Sequence, residues 1–147
     1  MSERTKPSVL FVCVKNGGKS QMAAAMMRQA TGDTVDVYSA GTKPGAEINA
    51  LSAASLLEVG LDISDEKPKA IDPDVLGRVD RIIILGRDAK VDPVPGAQLE
   101  KWETDEPSDR GIDGIERMRL VRDDIAIRVR ALAAELAASG ASSRNER

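Results

Sequence analysis

The chain has 147 residues with 21 Lys+Arg against 24 Asp+Glu, a formal net charge of −3, which suits one domain around one core. Its 41% apolar and 31% charged residues exclude both wholesale disorder and a membrane protein. No apolar run approaches the roughly 20 residues of a bilayer span, and the polar start MSERTKPS is no secretory signal, so a cytoplasmic protein is expected.

The first element is the apolar, β-branched run Ser8 to Cys13, which reads as a buried strand opening the domain. A glycine loop, VKNGG, follows. Ser20 to Ala30 then has the Ala, Met and Gln content of a helix with Ser20 near its start, and Gly32 and Asp33 stop it. Thr34 to Ala40 alternates as a second strand before the loop residues Gly41, Pro44 and Gly45. A helix is expected from Ala50 to Val59, stopped by Gly60, and then a Pro- and Asp-containing stretch without assigned structure. Asp80 to Gly86 holds the clearest central strand, RIIIL; a weaker one runs from about Ala97 to Trp102. From Ile112 to Ala138, Ile115, Met118, Leu120, Val121, Ile125, Ile127, Val129, Leu132 and Leu136 recur at helical spacing as a long amphipathic helix. Flexible ends are expected at 1–7 and 139–147, around one domain at 8–138. Alternating strands and helices predict an α/β fold with a mostly parallel sheet, whose ligands bind beyond the carboxyl ends of the strands. That places the loop after Cys13 at the site.

The loop itself carries the chemistry. In a strand-loop-helix connection, successive backbone N–H groups and the helix N-terminus converge on an anion, and a tetrahedral oxyanion is the natural guest. Val14, Lys15, Asn16, Gly17, Gly18, Lys19 and Ser20 form this cradle: the glycines permit close backbone approach, Asn16 tolerates the left-handed region, and Lys19 adds a cationic donor. The same dipoles favour a thiolate at Cys13, aimed at the oxyanion's central atom, with Ser20 able to donate to the sulfur. The alternatives are a buried structural cysteine and a Walker-type nucleotide loop. The second would put Ser20 on Mg²⁺, but Cys13 stands where that pattern has its first Gly. His is absent, which excludes Ser–His–Asp and Cys–His catalysis and leaves only carboxylates and one sulfur for a transition metal; no metal or bound cofactor is expected. Cys13 is the only cysteine, so a redox reaction must borrow its second thiol. The mild acidity and the three aromatics Phe11, Tyr38 and Trp102 give no reason to expect a nucleic-acid partner.

Cys13, Asn16, Lys19 and Ser20 after an apolar strand resemble the C-x5-R-S loop of the low-molecular-weight protein tyrosine phosphatase and arsenate reductase family. SAGTKPG (Ser39 to Gly45), LLEVGLDIS (Leu56 to Ser64), RIIIL and DEP (Asp105 to Pro107) extend the likeness from about Val9 to the C-terminal helix. The resemblance implies a four-stranded parallel sheet flanked by helices, Cys13 as nucleophile, the loop cation as oxyanion clamp, and a carboxylate just before Pro as general acid. The chain departs from the pattern twice. Its clamp is Lys19, without the planar fork that grips two oxygens. The residue before Pro107 is Glu106, with Asp105 one step earlier; both are candidate acids, and Asp105 is slightly preferred because it can swing inward while the longer Glu106 reaches past the site.

Both family chemistries begin with thiolate attack on a tetrahedral oxyanion. The stretches Ser108-Asp109-Arg110 and Lys43 to Asn49, where phosphatases of the family carry aromatics, hold none here, which favours a small inorganic substrate. The two further cysteines of the thioredoxin-coupled relay are missing from Leu85 to Gly96. The first reading is therefore a monomeric arsenate reductase, formally an arsenate–mycothiol transferase, serving arsenical resistance. Its external thiol would be mycothiol recycled by mycoredoxin, or thioredoxin. The alternatives are a low-molecular-weight phosphatase and an idle oxyanion-binding relative.

Overall fold

The structure, a computed structural model, describes residues 6–145, with side chains described to residue 138. Its strands are β1 (Ser8–Cys13), β2 (Asp36–Gly41), β3 (Arg81–Leu85) and β4 (Gln98–Trp102), and its helices α1 (Lys19–Thr31), α2 (Ala50–Leu57), α3 (Pro73–Leu76) and α4 (Gly114–Asn145). The four strands form one sheet in the order β2-β1-β3-β4, every pairing parallel, as expected. From β1 the chain crosses to β2 on one side and then returns to β3 on the other. The order therefore reverses at the carboxyl end of β1, the crevice where such sheets bind ligands.

Alternation along β1 divides the core. Val9 and Phe11 face one layer with Ile83, Leu85 and Trp102, packed against Met22, Met27, Leu56, Ile125 and Val129 of the helices. Leu10 and Val12 face the other layer with Ala40, Ile82, Ile84, Val75 and Val79. Cys13 has the parity of Val9 and Phe11, so the pleat puts its side chain on the α1 side of the sheet. β4 is an edge strand with only Trp102 buried, which is why its sequence signal is weak.

Several boundaries differ from expectation. β2 begins at Asp36, not Thr34, and α2 ends at Leu57, with Glu58 as its cap, before the expected Val59. The unassigned stretch contains α3, started by Pro73 after Asp72, whose side chain accepts from the Asp74 amide: a proline first turn behind an acidic cap. On α4, Met118, Val121, Ile125, Val129, Leu132 and Leu136 form the buried stripe, whereas Leu120 and Ile127 point outward at 39% and 62% exposure. The backbone of α4 continues past Ala138 to Asn145, through much of the expected tail. Residues 1–5 of the expected N-terminal tail, and residues 146–147, lie outside the described residues. No helix among the described residues is long and apolar enough to cross a membrane.

Candidate functional site

Outward carbonyls build the loop between β1 and α1. The carbonyls of Cys13, Val14, Lys15 and Gly17 accept from the amides of Thr42 (3.0 Å), Lys43 (2.8 Å), Gly45 (2.9 Å) and Asn49 (2.7 Å). In a trans peptide the C=O and the following N–H point in opposite directions. Stitching these carbonyls to the 42–49 segment thus turns the amides of Val14, Lys15, Asn16 and Gly18 the other way. The Asn16 amide meets Cys13 Sγ at 3.2 Å. Those of Val14, Lys15 and Gly18 have no backbone acceptor among the described residues. Gly18 caps α1 without a side-chain hydrogen bond, so the helix N-terminus adds its own free donors to the same concavity.

Asn16 makes this turn possible. It is the one non-glycine residue at positive φ (54°) among those described, and it is fully buried. Its Oδ1 accepts from the Lys69 amide (3.0 Å), Gln21 Nε2 (3.1 Å) and Lys69 Nζ (3.4 Å), leaving Nδ2 to donate to Ser20 Oγ at 2.7 Å. Ser20 Oγ, which accepts that bond, also lies 2.9 Å from Cys13 Sγ, a contact in which either the hydroxyl or the thiol can donate; toward a thiolate the hydroxyl is the donor. Lys69 Nζ also donates to Ser39 Oγ at 3.1 Å, and desolvation holds its pKa below the ordinary lysine value. Gly41 lets β2 lie against the loop: a Cβ there would sit 2.6 Å from the Val14 carbonyl oxygen and 3.0 Å from the Asn16 amide nitrogen. Sequence reasoning missed Gln21, Gly41 and Lys69 as part of the site. A buried Gln within an apolar helix face, and the Gly of SAGT, were the available signals.

The two candidate carboxylates part company. Glu106 Oε2 accepts from Lys19 Nζ at 2.5 Å, beside the loop. Asp105 turns away: Arg110 grips its carboxylate at 2.8 and 3.2 Å and holds its pKa below the usual carboxylate value, while its amide donates to Asp124. The structure therefore brings Cys13, Asn16, Lys19, Ser20 and Glu106 together and leaves Asp105 outside, against the preference drawn from the sequence. Two cavities meet at the loop. One, of about 390 Å³, holds Cys13, Val14, Leu85, Gly86, Arg87 and Asp88. The other, of about 460 Å³, runs over Lys15, Gly17 and Gly18 to Pro107 and to Arg117, Met118 and Val121 of α4. Its apolar lining is Met118 and Val121 of α4 together with Ala46 and Pro107, and none of these is aromatic.

A parallel sheet with order β2-β1-β3-β4, carrying a thiol at the end of β1 beside a loop of inward-turned amides, defines a four-stranded α/β protein with its candidate site at the switch point of the sheet. The family described as low molecular weight phosphotyrosine protein phosphatase matches residues 8–142, and the chain belongs to it. It is 34% identical over 139 residues to an arsenate reductase of Bacillus licheniformis, covering 88% of this chain and 96% of that one. It is likewise 34% identical over 132 residues to an arsenate reductase of Brevibacillus brevis, covering 87% and 95%. Among solved structures, a thioredoxin-dependent arsenate reductase of Corynebacterium glutamicum superposes with a TM-score of 0.77 at 35% identity, covering 91% of this chain and 63% of that one. The chain thus spans less than two thirds of that relative.

Proposed function

We propose that this protein is an arsenate reductase acting through Cys13 and an external thiol. The carrying observation is Cys13 Sγ, held by the Asn16 amide and Ser20 Oγ, at the floor of a loop whose carbonyls are turned outward. The arsenate reductases it resembles support the choice of oxyanion. The thiolate attacks arsenic, an S–As bond forms, and one As–O bond breaks; Glu106 takes up a proton from solvent and passes it to the departing oxygen, which leaves as water. Lys19 and the amides of Val14, Lys15 and Gly18 hold the remaining oxygens. Asn16, Gly17 and Ser20 complete the cradle.

With no second cysteine in the sequence, an outside thiol attacks the adduct at arsenic and frees Cys13 as thiolate. A second thiol then attacks the sulfur of that outside adduct, giving a disulfide and arsenite. The two-electron reduction thus consumes two thiols. Mycothiol with mycoredoxin, and thioredoxin, are the candidate donors, in the cytoplasm; the Corynebacterium glutamicum relative is described as thioredoxin-dependent. All proposed groups come from one chain, so a monomer suffices.

One observation favours a second reading, a phosphatase: the 460 Å³ cavity with Pro107, Met118 and Val121 could seat an organic leaving group. The deciding experiment measures arsenite release and aryl phosphate hydrolysis with mycothiol and mycoredoxin, glutathione, or thioredoxin supplied separately. Arsenite release in one thiol arm, at a rate exceeding ester hydrolysis, is the expected result. Ester hydrolysis with no arsenite in any arm would make it a phosphatase.

A further inference from the structure

Lys19 and Glu106 are the two residues that line both cavities, so their ion pair stands where the Cys13 cavity meets the α4-walled one. The pair is direct, 2.5 Å, with side chains only 24% and 28% exposed. Arg87, the other cation lining the Cys13 cavity, is already held by Asp109 at 2.9 Å. Lys19 is therefore the cation positioned to meet an entering anion, and a carboxylate already occupies it.

An ammonium is a compact point charge on a flexible stem, unlike a guanidinium whose fork presents separate edges to two anions. A carboxylate and an oxyanion on one ammonium would lie within a few ångströms of each other and repel. We infer that Glu106 is an internal competitor of the substrate oxyanion: it holds Lys19 in the unliganded protein and yields it when an oxyanion enters the loop. This rests on the reading of the loop as an oxyanion cradle. It adds that affinity is set against an intramolecular anion, and that the carboxylate beside the leaving oxygen is released by substrate binding itself. It also makes Glu106 a determinant of oxyanion affinity distinct from the amides that shape the cradle.

The test is calorimetric titration of inorganic phosphate into the full chain at fixed ionic strength and pH 7, comparing wild type with E106Q, E106A and D105N. Because a partly exposed ion pair is worth up to about 1 kcal/mol, E106Q and E106A are expected to bind phosphate roughly threefold to fivefold tighter. D105N removes a charge one residue away that Arg110 already holds, and is expected to match wild type. Unchanged or weaker binding by both Glu106 variants overturns the inference, as does a gain in D105N equal to theirs, which would mean a diffuse field in place of contact competition. Absence of phosphate binding in all four proteins overturns the oxyanion reading itself, and the inference with it.

Discussion

At the residue scale the site depends on the direction of a few hydrogen bonds. Ser20 and the Asn16 amide both point at Cys13 Sγ, and neither bond needs a thiol in particular. Cys13→Ser should therefore lose at least about 10³-fold in turnover while phosphate affinity stays within roughly threefold, since the cradle is backbone. Appreciable turnover by the variant would refute the nucleophile assignment. The carboxylates give a second contrast. Glu106→Gln should lower turnover about 10²-fold even though it binds phosphate more tightly, because the proton donor is gone, while Asp105→Asn should stay within about twofold. Equal losses from both would show that the position of Glu106 beside Lys19 has no bearing on proton transfer. Cys13, Lys19 and the glycine loop were legible in the sequence because local spacing alone defines such a loop. The choice between Asp105 and Glu106 was not, because Arg110, five residues on, decides which carboxylate turns outward.

At the element scale, what holds β1, β2 and α2 around the loop is close backbone approach. Gly41→Ala would drive a Cβ to 2.6 Å from the Val14 carbonyl, an overpacking contact against backbone that cannot rotate away. A loss of about 1–3 kcal/mol in urea unfolding is expected, with weaker phosphate binding because the Val14 and Asn16 peptides must shift. Wild-type values in both measurements would mean the loop relaxes freely. Elsewhere, Glu58 caps α2 while Arg119 and Arg122 of α4 hold its carboxylate, which lowers its pKa from 4.5 to about 2. A carboxyl lowered in the folded state stabilises it above the unfolded value of 4.5, and that stability is lost as pH falls towards 2. Glu58→Gln should thus flatten the fall in urea midpoint between those pH values and change little below them. A slope equal to wild type would place the acid sensitivity elsewhere. The strands and long helices were legible from apolar runs and 3.6-residue periodicity. The one-turn α3 and the outward Leu120 and Ile127 were not: four residues are too short for a period, and periodicity does not say where the neighbouring layer ends.

At the scale of the whole molecule, the loop is tied to α1, which follows it, and to segments distant in sequence: 42–49 through four backbone hydrogen bonds, and Lys69 through Asn16. Unfolding any of these opens the cradle, so an oxyanion that binds only the closed loop must stabilise the entire domain. At a hundredfold excess over Kd, phosphate should add about 2.7 kcal/mol, and for a domain of this size that raises the melting temperature by roughly 8 °C. Trp102 makes the prediction stricter. It is the only tryptophan, buried on edge strand β4, and its ring lies 5.8 Å from that of Phe11 across the core. If the layers on both sides of β1 unfold as one unit, tryptophan fluorescence and far-ultraviolet circular dichroism should report the same midpoint without phosphate and the same rise with it. A rise confined to one probe would show that the loop and the β4 edge belong to separate cooperative units. A saturating phosphate concentration that raises neither would show that the loop does not bind oxyanions in the folded protein.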